Sequence, residues 1–154
     1  MDTHTKEQRS RNMAAIKSKG NATTEMRLVA LFRENKITGW RRHKKGKVGS
    51  PDFLFSKAKL VIFVDGCFWH GCPEHCIMPK SKQEYWEPKI SRNKARDKTV
   101  TKYYKEKGWA VLRIWEHQLK KDHAKTVKKI KALLDKFAKQ SAMHDSKQQE
   151  SFDC

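Results

Sequence analysis

Two short apolar runs, four residues apart and followed at once by cysteines and histidines, limit what this chain can become more than any other feature. The segment 50–75 reads SPDFLFSKAKLVIFVDGCFWHGCPEH. Asp52-Phe53-Leu54-Phe55 and Leu60-Val61-Ile62-Phe63-Val64 are β-branched or aromatic and bounded by turn formers. They predict two strands joined by the turn Ser56-Lys57-Ala58-Lys59. Neighbouring strands lie about 4.8 Å apart, which brings Asp52 and the end of the second run within reach of one metal ion. Cys67, Phe68, Trp69, His70, Cys72 and His75 follow directly. An acid, a candidate general base, aromatics and a metal-ligating cluster thus share one segment.

The flanks supply helices. Residues 3–17 are polar and basic around Met13 and predict a short helix or arm. Asn21 or Thr23 can cap a helix to about Asn35 with Leu28, Leu31 and Phe32 on one face. Glu25 lies in its first turn, where an acid ordinarily complements the helix dipole. Ile37 to His43 reads as a strand with Trp40 inward, and residues 44–49 as a glycine-rich basic loop suited to a phosphate backbone. Ser81 and Glu84 form a capping-box pattern before a long helix to about Lys107, bent near Pro88. Trp86, Ile90, Asn93, Asp97, Val100 and Tyr104 share one face of it. Asn93 and Asp97 interrupt that stripe and need partners, a histidine being a natural one for Asp97. Residues 109–115 predict a strand, 119–140 a basic helix bearing Val127, Ile130, Leu134 and Phe137, and 141–154 a disordered tail. The order gives a mixed α/β domain, a central sheet flanked by helices.

With 154 residues and a formal charge of +18, the chain suits one domain that binds a polyanion, most readily nucleic acid. Its basic residues interleave with Trp, Tyr and Phe, which a merely solubilising surface would not require. No apolar stretch has membrane-spanning length and no secretory signal is legible, so a cytoplasmic protein is expected. There, 4 cysteines favour metal over disulfides. Cys67, Cys72 and His75 offer two thiolates and an imidazole, and zinc wants four such ligands. His117 is the best remote fourth, and Cys76 the alternative. A closed four-ligand site would be structural. His70 is spaced differently and is free to act on a water or phosphate.

Pro51-Asp52 on one strand, with a second strand ending at Val64-Asp65, resembles the restriction-endonuclease-like superfamily, although Asp65-Gly66-Cys67 stands where that superfamily carries Glu-x-Lys. The more specific likeness is to the very short patch repair (Vsr) DNA mismatch endonuclease family. It is carried by Ser10-Arg11-Asn12-Met13, Glu25, Pro51-Asp52-Phe53, the run Val61 to Pro73 (VIFVDGCFWHGCP), Trp86, Lys89-Ile90, Asn93, Arg96-Asp97 and the run Gly108 to Glu116 (GWAVLRIWE). It extends to about residue 140, and the Gly-Cys-Phe-Trp-His element is the most specific part.

The resemblance implies a Mg2+-dependent hydrolase that nicks double-stranded DNA 5′ to the thymine of a T·G mismatch left by 5-methylcytosine deamination. It assigns Mg2+ to Asp52 and the Val64 carbonyl, and the base or water-orienting role to His70. Asp97 supports His70, and Glu25 assists through water held at the metal. Phe68, Trp69 and Trp86 enter beside the mismatch, Met13 approaches from the minor groove, and Asn93 contacts DNA. Zn2+ falls to Cys67, Cys72, His75 and His117. Residues 1–20 become a DNA-contacting arm and 21–140 the endonuclease domain. The expected state is a monomer, with DNA repair proteins as further partners.

Overall fold

The structure is a computed structural model that describes residues 5–15 and 24–149. The elements are α1 (Lys6–Ala15), α2 (Glu25–Glu34), β1 (Trp40–Arg42), β2 (Phe53–Phe55), β3 (Leu60–Asp65), α3 (Gln83–Glu106), β4 (Ala110–Trp115), α4 (Glu116–Lys121) and α5 (His123–Gln149). The strands form one four-stranded sheet in the order β1-β2-β3-β4. β1, β2 and β3 pair antiparallel, and β4 pairs parallel to β3. The mixed α/β architecture expected from the sequence is therefore present. A parallel partner needs a long crossover, which α3 supplies.

Alternation along the strands gives the sheet two apolar faces. Phe53, Phe55, Leu60, Ile62, Leu112 and Ile114 face a core shared with Leu28, Leu31, Phe32, Leu119 and Ile130. Leu54, Val61 and Phe63 face Val100 and Tyr104 of α3. Phe32 is fully buried and packs edge-on against Phe53 and Phe55 and tilted against Trp40. Truncating such a ring to alanine costs about 3–5 kcal/mol. The predicted stripe of α2 and the inward Trp40 are both in place.

The basic loop before β2 is tied to α3. The Tyr104 hydroxyl donates to the Val48 carbonyl at 2.7 Å, and the Lys47 ammonium lies over the Trp109 ring. Gly49, at φ +71°, passes so close that a Cβ there would collide with Val100. Glycine is required at this crossing for both backbone and space.

Three local expectations change. The Ser81–Glu84 capping box does not form. Lys82 adopts a left-handed conformation (φ 57°) as the N-cap of α3, which begins at Gln83, and the Ser81 hydroxyl instead accepts from Arg9 Nη1 at 3.4 Å. The helix expected over 119–140 is two helices, broken at Asp122, whose carbonyl accepts from Thr126 N–H. The second continues to Gln149, past the tail boundary expected at 141. Its Lys, Gln and Ala content favours helix even where no apolar face remains to bury. Among the described residues, no helix is long and apolar enough to cross a membrane.

Candidate active site and metal centre

Asp52 stands one residue before β2. Its amide donates to the Ile62 carbonyl at 3.0 Å, and its carboxylate accepts from the Val64 amide at 2.7 Å. Burial raises the Asp52 carboxyl to about 7; the Val64 bond opposes the shift, and the charges of Glu25 and Asp65 add to it. No Lys or Arg pairs with Asp52 among the described residues. A partly buried carboxylate whose charge is disfavoured by desolvation fits a hard divalent cation, which would take the proton's place. The Asp65 carboxylate, at the end of β3, is taken by Arg113.

Glu25, in the first turn of α2, is buried and does more than complement a dipole. It accepts from Arg42 Nη2 at 2.9 Å and is hydrogen-bonded to His43 Nε2. Glu25, His43 and Asp52 place ligand atoms within 4.8 Å of one another. Neither Arg42 nor His43 was singled out from sequence. Strand alternation places neighbours on opposite faces, but His43 has φ 44°, and that left-handed turn sends both side chains to Glu25.

Facing Asp52 across a cavity of about 410 Å3 are His70, Asn93 and Asp97, with Val64 and Arg113 in the same lining. His70 Nδ1 lies 2.7 Å from Asp97 Oδ2 and 3.6 Å from Asp65 Oδ1. The carboxylate can only accept, so this network assigns the proton to Nδ1 and leaves Nε2 a basic lone pair. Burial alone would lower the His70 pKa. The Asp97 bond and the Asp65 and Asp97 charges raise it overall, against Arg113. The pairing expected between Asp97 and a histidine is thus present. Asn93 donates to the Trp69 carbonyl at 2.8 Å, fixing the loop that carries His70.

Phe68, Trp69, Trp86 and Tyr85 meet edge to face, with centroids 5.0–5.8 Å apart. Lys89 lies over the Trp69, Tyr85 and Trp86 rings. Tyr85, the most exposed of the four, was not anticipated. Met13 belongs to α1, but its side chain lies outside the described residues.

The cysteine–histidine cluster is assembled from the loop after β3 and the first turn of α4. Cys67, Cys72, His75 and His117 place ligand atoms within 4.8 Å of one another. Cys67 Sγ is 3.4 Å from His117 Nδ1, and Cys72 Sγ is 3.7 Å from both His75 Nδ1 and His117 Nδ1. A tetrahedral zinc with usual bond lengths separates its ligands by about 3.3–3.8 Å, so these residues fit that ion. Cys76 points elsewhere, toward the Phe68 carbonyl at 3.6 Å. Burial pushes the Cys67 thiol up, the His117 backbone opposes, and the adjacent Cys72 thiol adds; a bound cation would reverse that balance.

Comparison with known proteins bears on what this geometry serves. A model of the DNA mismatch endonuclease Vsr family matches residues 1–77. The type II nicking enzyme V.NmeDIP of Neisseria meningitidis serogroup C is 40% identical over 88% of this chain and 93% of its own. V.NaeI of Lentzea aerocolonigenes, likewise a type II nicking enzyme, is 40% identical over 71% of this chain and 68% of its own. The DNA mismatch endonuclease Vsr of Escherichia coli K12 is 37% identical over 77% and 76%. Among solved structures, the catalytic domain of the homing endonuclease I-Bth0305I aligns with a TM-score of 0.51 at 24% identity, covering 73% of this chain and 94% of that one. That likeness concerns fold alone and supports the restriction-endonuclease-like architecture. With half its length under the family model and relatives matched over most of theirs, this chain belongs to the Vsr family of DNA mismatch endonucleases.

Proposed function

We propose that this endonuclease nicks one strand of duplex DNA 5′ to the thymine of a T·G mismatch, by Mg2+-dependent hydrolysis. The observation that carries the reading is the facing of Asp52 and the His70–Asp97 pair across one cavity beside the aromatic wall. Asp52, with the Val64 carbonyl, would hold the magnesium. When bound, that ion supplies positive charge against the scissile phosphate. His70 Nε2 takes the proton of the attacking water, and Asp97 holds the ring and stabilises its cationic form. Glu25, held by Arg42 and His43, borders the metal position.

Phe68, Trp69 and Trp86 provide the wedge. A T·G wobble stacks poorly, so prising it open costs less than at a matched step. Lys89 above the rings supplies charge for an adjoining phosphate. Met13 and the arm 1–20 would close on the duplex from the minor groove, with residues 21–140 as the nuclease proper. Zinc on Cys67, Cys72, His75 and His117 would tie the aromatic loop to the end of β4. The charge of +18 suits a monomer gripping DNA in the cytoplasm, where repair proteins would complete the repair.

The test is a panel of end-labelled duplexes carrying T·G, other mismatches or none, with Mg2+ and with chelator. Cutting 5′ to the mismatched thymine only with Mg2+ is the expected result, and equal cutting by Asp52→Ala would refute the reading. The relatives that are named type II nicking enzymes favour one second reading, a nickase of other specificity on the same scaffold. Cutting indifferent to the mismatch would select it. Salt-sensitive binding without cutting would leave only a zinc-containing DNA-binding module.

A further inference from the structure

Four chain segments meet behind His70, and the residue joining them has no part in the reading above. Arg113 lies on β4, paired in register with Phe63, and its guanidinium stacks 4.5 Å from that ring. Its Nε and Nη2 grip the two Asp65 oxygens at 2.7 and 2.9 Å, and Nη2 also donates to Asp97 Oδ1 at 2.8 Å. We propose that Arg113, anchored on Asp65, is a positioning residue that holds Asp97 and thereby aims the His70 imidazole at the scissile phosphate. This inference rests on the function proposed above and adds the element that orients its base.

The hydrogen bonds carry the argument. His70 Nδ1 has a single proton to give and two carboxylates nearby, Asp97 at 2.7 Å and Asp65 at 3.6 Å. Unrestrained, both would compete for it, and the ring would have two orientations. Arg113 donates to both Asp65 oxygens, which draws their charge and orientation away from His70 and weakens the competitor. It also takes one Asp97 oxygen, which leaves the other for Nδ1. Each Asp97 oxygen then has its own donor, and the carboxylate plane is set from β4 while its backbone belongs to α3. Arg113 Nη1 meanwhile is buried without a hydrogen-bond partner among the described residues. The guanidinium is therefore placed for the two carboxylates at the expense of one of its own donors. A lysine could pair with one carboxylate but not span both.

The experiment uses the full chain with T·G duplex and Mg2+. It compares wild type, His70→Ala, Arg113→Lys, Arg113→Met and the double variant Asp65→Asn with Arg113→Met. The readouts are the single-turnover nicking rate, DNA affinity, melting temperature and the 15N shifts of the His70 ring. Arg113→Met is expected to nick about 10- to 100-fold more slowly with DNA affinity unchanged. The double variant, relieved of the unpaired Asp65 charge, should melt like wild type and stay slow, with His70 shifts averaged between orientations. Arg113→Lys should be slowed too, and it carries the test should Arg113→Met fail to fold. A double variant that nicks at the wild-type rate would reduce Arg113 to neutralising Asp65 and overturn the inference. Loss of rate matched by loss of DNA affinity would do the same. Undiminished nicking by His70→Ala would instead bring down the proposed function itself, which separates the two failures.

Discussion

Cys67 and His70 are three positions apart, yet they belong to sites of opposite kind. Cys67 joins a thiol and imidazole cluster whose ligand atoms converge from one loop and the start of α4 to 3.4–3.7 Å. His70 borders an oxygen-rich cavity shared with Asp52, a partly buried carboxylate with no Lys or Arg partner among the described residues. Soft ligands in a closed tetrahedron favour a structural ion; hard ligands in an open cavity favour one that meets substrate. One loop can serve both because β3 and β4 are parallel and end together at Asp65 and Trp115. The lesson is that coordination, rather than proximity, separates scaffold from chemistry here.

The largest expected effect breaks the comparison on the open side. Asp52→Ala should lower nicking by about 10^3-fold or more, the loss of several kcal/mol at the phosphate. It should keep its zinc and its melting temperature in a metal analysis and thermal scan. The closed side should answer in reverse. Cys72→Ser is expected to lose zinc and several kcal/mol of stability, a fall of about 10 °C or more in the melting temperature. Zinc loss without a change in melting would contradict a structural role.

Titration sharpens the contrast. In the metal-free protein Asp52 holds its proton up to about 7, against 3.8 for an ordinary carboxyl. Between those values the folded state binds more protons, so Asp52 makes metal-free stability fall as pH rises from about 4 to about 7. His70, raised above 6.5, has the usual histidine sign: its stabilising contribution is complete below 6.5 and is lost as pH climbs through the raised value. Mg2+ should therefore stabilise more at pH about 7 than at about 5, and nicking should climb as pH passes the raised His70 value, above 6.5, where the ring becomes neutral. Melts with and without Mg2+, alongside a pH–rate profile, check both.

A smaller effect concerns the wall. Trp69→Ala or Trp86→Ala should weaken binding of a T·G duplex by about 1–3 kcal/mol and of a matched duplex by less. The smallest is Glu84→Ala, expected to change stability by under about 0.5 kcal/mol, because the capping box it was expected to complete is not formed.

Much of this was legible in the sequence because its signals are periodic or local. Short apolar runs bounded by turn formers gave β2 and β3, and the four-and-three spacing along α3 placed Asp97 where a histidine would meet it. His117 was the preferred fourth partner for the cluster because Cys76 adjoins His75, and consecutive residues rarely ligate one ion. What was missed depends on backbone departures or on long-range pairing. His43 reaches Glu25 only through a left-handed residue at the end of β1. Arg113 reads as one polar position in an alternating strand, and nothing local says that it faces two carboxylates. The left-handed Lys82 hides the failed cap in the same way. The end of α5 was misjudged because a helix can continue on propensity after its apolar face has run out.

The side-by-side course of β3 and β4 has one more outcome, for the genetics of such a chain. Their alignment sets Phe63 against Arg113 and Asp65 against Trp115. Deleting one residue from either strand would invert which side every later group faces. Such a lesion would unseat the base and scatter the sulfur ligands in a single stroke, so this short duplex of strands should tolerate substitutions far better than frame-preserving deletions.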